Sequence, residues 1–280
     1  MVIANPIYDV VFKRLMENEK VAKFFISTLL EQTIETIEVK PQEFTYTNEL
    51  IGVAIFRLDF IATIKTKSGE VKKVLIEIQK AKNLIDIMRF RNYLALQYGK
   101  EDDVQGEKVI LPITTIYILG FKLPEILSPC LKVERNYKDL INNSLIETKS
   151  DFIEKLTHDS YVVQVQRITG RYQTKLDKLL SLFEQANFID DRKIVKDFTH
   201  EIDNEDIKLL ADILHYSGTD KVERKKLEVE QEAWRTIDAM TENLREKFIK
   251  QSEEIAEKDK LINEKNKLIE TLMKKINDKL

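Results

Sequence analysis

The chain has 280 residues, with 45 Lys and Arg against 48 Asp and Glu, a formal net charge of −3, and 43% hydrophobic residues. That apolar fraction can fill a sizeable core and excludes a wholly disordered chain. The only cysteine, Cys130, excludes an internal disulfide, and no apolar run approaches the roughly 20 residues that cross a bilayer. With Asp9, Lys13 and Arg14 interrupting any leader-like stretch, the sequence reads as a cytoplasmic protein. Charge is uneven along the chain. Residues 1–100 hold 15 basic against 12 acidic side chains, residues 101–220 hold 15 against 22, and residues 221–280 hold 15 against 14. The first third is mildly basic and suits a polyanion. Only 7 Gly and 5 Pro argue against Gly-rich phosphate loops and long flexible linkers.

In chain order, Asn5-Pro6 marks a helix start, and apolar periodicity predicts one or two helices over 6–31. Three strands are expected at 34–47, 51–65 and 70–79, the last two joined by Thr66-Lys67-Ser68-Gly69, a hairpin signal because Gly accepts positive φ. A helix is expected from Leu84 to about Tyr98. Residues 109–119 form a nearly continuous β-branched run, as in a strand buried on both faces, with Pro112 near its start or at an edge. Short strands at 131–134 and 161–166 flank a polar loop, and helices dominate from Leu176. This order describes a mixed α/β domain over 1–217 and a helical tail over 218–280. In the tail, Phe248, Ile255, Ile262, Ile269 and Ile276 recur every seven residues, and DKLINEK and NKLIETL nearly repeat. Gln251, Lys258 and Lys265 occupy the complementary seam. The tail is a self-associating coiled coil over 241–280, or else a solvated or partner-binding helix.

The informative residues are Asp59, Glu77 and Gln79 on the second and third strands. A hairpin centred near Ser68 gives pairs summing to about 136, so Asp59 falls opposite Glu77. Opposed residues have Cβ atoms about 4.5–5.5 Å apart, and like charges there repel. A divalent hard cation with oxygen ligands would supply the counter-charge. Arg57, Lys72 or Lys73 would do so equally in an ordinary half-exposed hairpin. His158, His200 and His215 show no zinc-ligand spacing with one another or with Cys130.

The pattern D-x(17)-E-x-Q on such a hairpin, after one helix and before another, resembles the PD-(D/E)XK nuclease superfamily. More narrowly, the chain resembles its transposase family, the Rpn-type recombination-promoting nucleases. The matching pieces are NPIYDVVFKRL at 5–15, RLDFIATIKTKSGEVKKVLIEIQ at 57–79, RFRNYLALQYG at 89–99 and the strand ITTIYILGF at 113–121, and the likeness covers about residues 1–215. It implies a restriction-endonuclease-like mixed sheet flanked by helices, and a DNA endonuclease using Mg²⁺ or Mn²⁺. Asp59, Glu77 and the carbonyl of Ile78 would hold the metal. Gln79 stands where many members carry lysine, and it supplies neither a cation nor an efficient base. Asp9 matches an acidic position that reaches the metal or its waters in such folds, although a first-turn acid also favours the helix dipole. Arg89, Arg91 and Tyr93, with Lys80 and Lys82 before them, are candidates for the DNA backbone, against a reading in which Tyr93 packs in the core and the arginines are solvated. The competing functions are a catalytically weak DNA- or protein-binding module that oligomerises through its tail, and a scaffold built on 221–280.

Overall fold

The computed structural model describes residues 1–48, 53–80, 84–104 and 106–277; at 41–48, 53–59, 84–86, 89, 238, 241, 244, 245, 248, 268 and 270–277 it describes the backbone only. Apolar side chains at helical spacing bury one face of α1 (Asp9–Glu17) and α2 (Glu19–Leu30), which follow a short strand, β1 (Val2–Ala4). Asn18 separates the two helices: its backbone is extended, and its side chain accepts from the Val21 N–H at 3.2 Å to cap α2. Next come β2 (Ile34–Asn48), β3 (Val53–Thr66), β4 (Val71–Gln79) and α3 (Leu84–Tyr98). The small hairpin β5 (Asp102–Val104) and β6 (Glu107–Val109) leads to β7 (Ile113–Leu119), which begins just after Pro112. Beyond it lie β8 (Cys130–Val133), β9 (Tyr137–Asp139), β10 (Ser144–Ile146), α4 (Asp151–Leu156) and β11 (His158–Gln164). The chain continues through α5 (Lys175–Ser181), β12 (Val195–Asp197), α6 (Glu205–Thr219) and the long α7 (Lys221–Asn277).

Six strands form one mixed sheet in the order β2-β3-β4-β7-β11-β8. The first three are an antiparallel meander, β7 runs parallel to β4, β11 runs parallel to β7, and β8 closes the row antiparallel. A parallel return from β4 to β7 needs a crossover, which α3 provides. The protein is thus mixed α/β, as its sequence implies.

Alternation along β4 divides the sheet into two faces. Val74, Ile76 and Ile78 enter a large core shared with α1, α2 and α6. Phe12, from the NPIYDVVFKRL segment, is fully buried at its centre and meets Phe60 at 5.3 Å and Phe25 at 5.5 Å edge to face. Burial of each such ring stabilises the fold by roughly 2–3 kcal/mol. On the other face a smaller cluster joins Leu75 and Ile113 to Phe90 and Tyr93 of α3. β1 pairs with β12 in a separate two-stranded sheet packed on α6.

The chain divides into two compact units, Met1–Gln231 and Glu232–Leu280. The first three turns of α7 therefore belong to the first unit, where Leu227 is fully buried. The second unit is the remainder of that helix and the residues after it. No helix among the described residues is long and apolar enough to cross a membrane.

Candidate active site

The β3–β4 hairpin turns through Gly69 at φ +88°, where its N–H donates to the Thr66 carbonyl at 2.9 Å. The pairs run from Lys65↔Val71 to Phe60↔Ile76, and each sums to 136. The ladder ends at Phe60↔Ile76, one step short of Asp59 and Glu77. The Asp59 backbone lies in β3, paired with Gln42 of β2; its side chain lies outside the described residues.

Glu77 and Gln79 project on the α3 side of the sheet, with Leu75 between them and Lys73. Glu77 is 1% exposed and Gln79 7%. The neighbour of Glu77 in the parallel ladder is Tyr117 of β7, whose ring packs on Phe90 at 4.7 Å. Burial pushes the Tyr117 phenol up to about 12; a hydrogen bond with Thr115 pulls it down, and the negative charge of Glu77 adds to the rise. Tyr117 therefore keeps its proton at neutral pH, beside Glu77 in the ladder. Gln79 holds its strand end through the backbone, its carbonyl accepting from the Gly120 N–H at 2.8 Å. Its side-chain Nε2 is buried and has no hydrogen-bond partner among the described residues. Ile78 is 5% exposed, in the large core.

The basic residues divide. Arg91 is exposed on α3, the Arg89 side chain lies outside the described residues, and so does Lys82. Tyr93 is only 3% exposed in the α3 cluster, so its ring packs inside instead of tracking a phosphate backbone, which revises the DNA-facing expectation for that residue. Lys80 is turned inward too: its ammonium lies over the Tyr8 ring at 4.2 Å and pairs with Glu230 of α7. Asp9 is half-buried at the first turn of α1, which packs against the sheet face opposite α3, and its backbone N–H donates to Glu230.

Two residues, Tyr117 beside Glu77 and Glu230 paired with Lys80, escape sequence reasoning. Tyr117 sits in an apolar run and becomes relevant only through the β4–β7 register. Glu230 carries no distinguishing signal, being one of three alternating acids, Glu228, Glu230 and Glu232, after the buried Leu227.

Glu77 and the strand carbonyl of Ile78 are oxygen donors of the kind a hard divalent cation takes. Among the described residues, which omit the Asp59 side chain, no three His, Cys, Asp or Glu gather as a metal group. No family model, curated protein or solved structure matches the chain.

Proposed function

We propose that the protein is a divalent-metal-dependent DNA endonuclease of the PD-(D/E)XK kind, acting in recombination or on behalf of a mobile element. The observation that carries this reading is the register: pairs sum to 136 through Phe60↔Ile76, so one further step would oppose Asp59 to Glu77, with Gln79 on the same face as Glu77. The surrounding order supports it: a helix, an antiparallel meander, a helix and a strand parallel to the third meander strand are the elements such a core would need. Asp59, Glu77 and the Ile78 carbonyl would hold Mg²⁺ or Mn²⁺. When bound, such an ion lowers the pKa of a water and stabilises charge on the scissile phosphate. Gln79 would orient a water through its amide and, being neutral and non-basic, would take no proton from it. Water oxygen would bond to phosphorus as the bond to the leaving sugar oxygen breaks, with the water's proton passing through solvent to that leaving oxygen. Asp9 lies at the start of α1, and Arg91 offers an exposed cation to the DNA.

The tail completes the reading. α7 runs unbroken to Asn277, and Ile255, Ile262 and Ile269 are 60%, 53% and 52% exposed in the single chain. A second copy would bury this stripe as a coiled coil. The free Cys130 fits a cytoplasmic, reducing setting.

Plasmid cleavage with Mg²⁺, with EDTA, and by Asp59→Ala and Glu77→Ala tests the proposal. Cleavage that needs the metal and both carboxylates is the expected result; a variant that cuts at the parental rate overturns it. A second reading, a non-cleaving module that grips DNA or protein, is favoured by the burial of Glu77 and by Gln79 in the lysine position. Metal-independent DNA binding without cleavage would select it.

A further inference from the structure

Helix α1 opens without a local cap. Its N-cap residue is Tyr8, whose side chain makes no capping bond, and the first N–H groups of a helix need acceptors. Those acceptors come from the far end of the unit. Glu230 Oε1 accepts from the Asp9 N–H at 2.9 Å, and Oε2 accepts from the Val10 N–H at 3.0 Å. The same carboxylate pairs with the Lys80 ammonium, one residue beyond Gln79. The Glu230 and Lys80 side chains are only 13% and 11% exposed, so little water competes for these charges.

Two more contacts seat the root of α7 against α1. Arg14 pairs with Glu223 at 2.8 Å, and Leu227 is buried in the core. Residues 223, 227 and 230 are spaced by four and three, which puts them on one helix face. Glu223 meets α1 near its end and Glu230 meets its start, so the root runs antiparallel to α1.

The start of α1, with Asp9, and the end of β4, with Gln79, are therefore tied to the same two carboxylate oxygens. The geometry points to Glu230 as a positioning residue of the candidate active site, acting from the root of the tail helix. This rests on the nuclease reading above. Glu230 acts through Lys80 and the α1 backbone and lies outside residues 1–215, where the family resemblance runs. Replacing its carboxylate by an amide leaves one oxygen acceptor for the two N–H groups of Asp9 and Val10, sets an NH2 donor against the other, and takes this counter-charge from the Lys80 ammonium. Both segments then move to find water, and the groups they carry move with them.

The test compares full-length wild type, Glu230→Gln and Leu227→Ala. The last loosens the same helix root without touching Asp9 or Lys80. Cleavage is read as kcat and KM with Mg²⁺, and amide exchange is read at Asp9 and Val10. Glu230→Gln is expected to lose kcat by about 100-fold with KM nearly unchanged, the scale of a small misplacement of catalytic groups. Its Asp9 and Val10 amides are expected to exchange about tenfold faster, as for a lost cap. Leu227→Ala lowers the melting temperature but keeps kcat. Parental kcat in Glu230→Gln overturns the inference, as does an equal kcat loss in Leu227→Ala. If wild type does not cleave, the nuclease reading fails; amide exchange then decides the clasp alone, and unchanged rates at Asp9 and Val10 overturn it.

Discussion

Lys196 on β12 is 2% exposed, and its ammonium donates to the Glu184 carbonyl oxygen. Burial pushes its pKa down to about 7, while the Glu184 carboxylate pulls the other way. Above the unfolded value near 10.4 the amine is neutral in both states and its burial carries no charge penalty. Below about 7 it is charged in both, and the penalty falls wholly on the folded chain. Stability should therefore rise from pH 7 toward pH 10, by about 1.4 kcal/mol per pH unit from this group. Denaturant unfolding at pH 7 and pH 9 should show the gain in wild type, and Lys196→Met should flatten it. Lys73 is also 1% exposed, and the Asp102 carboxylate lies 2.8 Å from its ammonium. Legibility also varies residue by residue. Glu77 and Gln79 stand out in sequence because they alternate with Ile76 and Ile78 on a strand. Glu230 does not, because its partners Asp9 and Val10 lie 221 and 220 residues away.

Long elements follow from periodicity, and short ones do not. The expected hairpin, its turn and its sum-136 register all appear in β3 and β4, because side-chain alternation and the Ser-Gly turn fix them locally. Strand β1, the β9–β10 hairpin and β12 are three-residue pieces that exist only because a partner strand lies beside them. The end of β4 is set by close approach across the sheet. A Cβ on Gly120 would sit 2.8 Å from the Lys80 carbonyl oxygen and 3.0 Å from its Cα, both rigid backbone. Gly120→Ala should therefore push β7 away from Gln79 and Lys80, costing about 1–3 kcal/mol of stability. Cleavage should fall more than the loss of folded protein explains; activity proportional to the folded fraction would show that this strand end does not position the site.

At the scale of the whole molecule, the first unit closes on itself through the root of α7, and the rest of that helix forms the second unit. The self-association proposed for the tail predicts that Ile255→Asp combined with Ile262→Asp, in the full chain, turns an oligomer into a 32.9 kDa monomer by sedimentation. The melting of the first unit should stay unchanged, since neither residue belongs to it. A wild type that is already monomeric at micromolar concentration would remove the coiled-coil reading.

The sequence by itself determined the mixed α/β class, the meander and its register, and the long tail helix. Each depends on spacing within a few tens of residues: period two for strands, near 3.6 for helices, and a Gly turn for the hairpin. Only the tertiary structure decided that β7 lies parallel beside β4 and brings Tyr117 next to Glu77, that Tyr93 is inside, and that Lys80 faces α1. It alone placed Glu230 as the cap of a helix at the opposite end of the chain. A cap, a buried charge and a parallel strand neighbour are satisfied by whatever the fold brings near, and no local pattern records which residue that is.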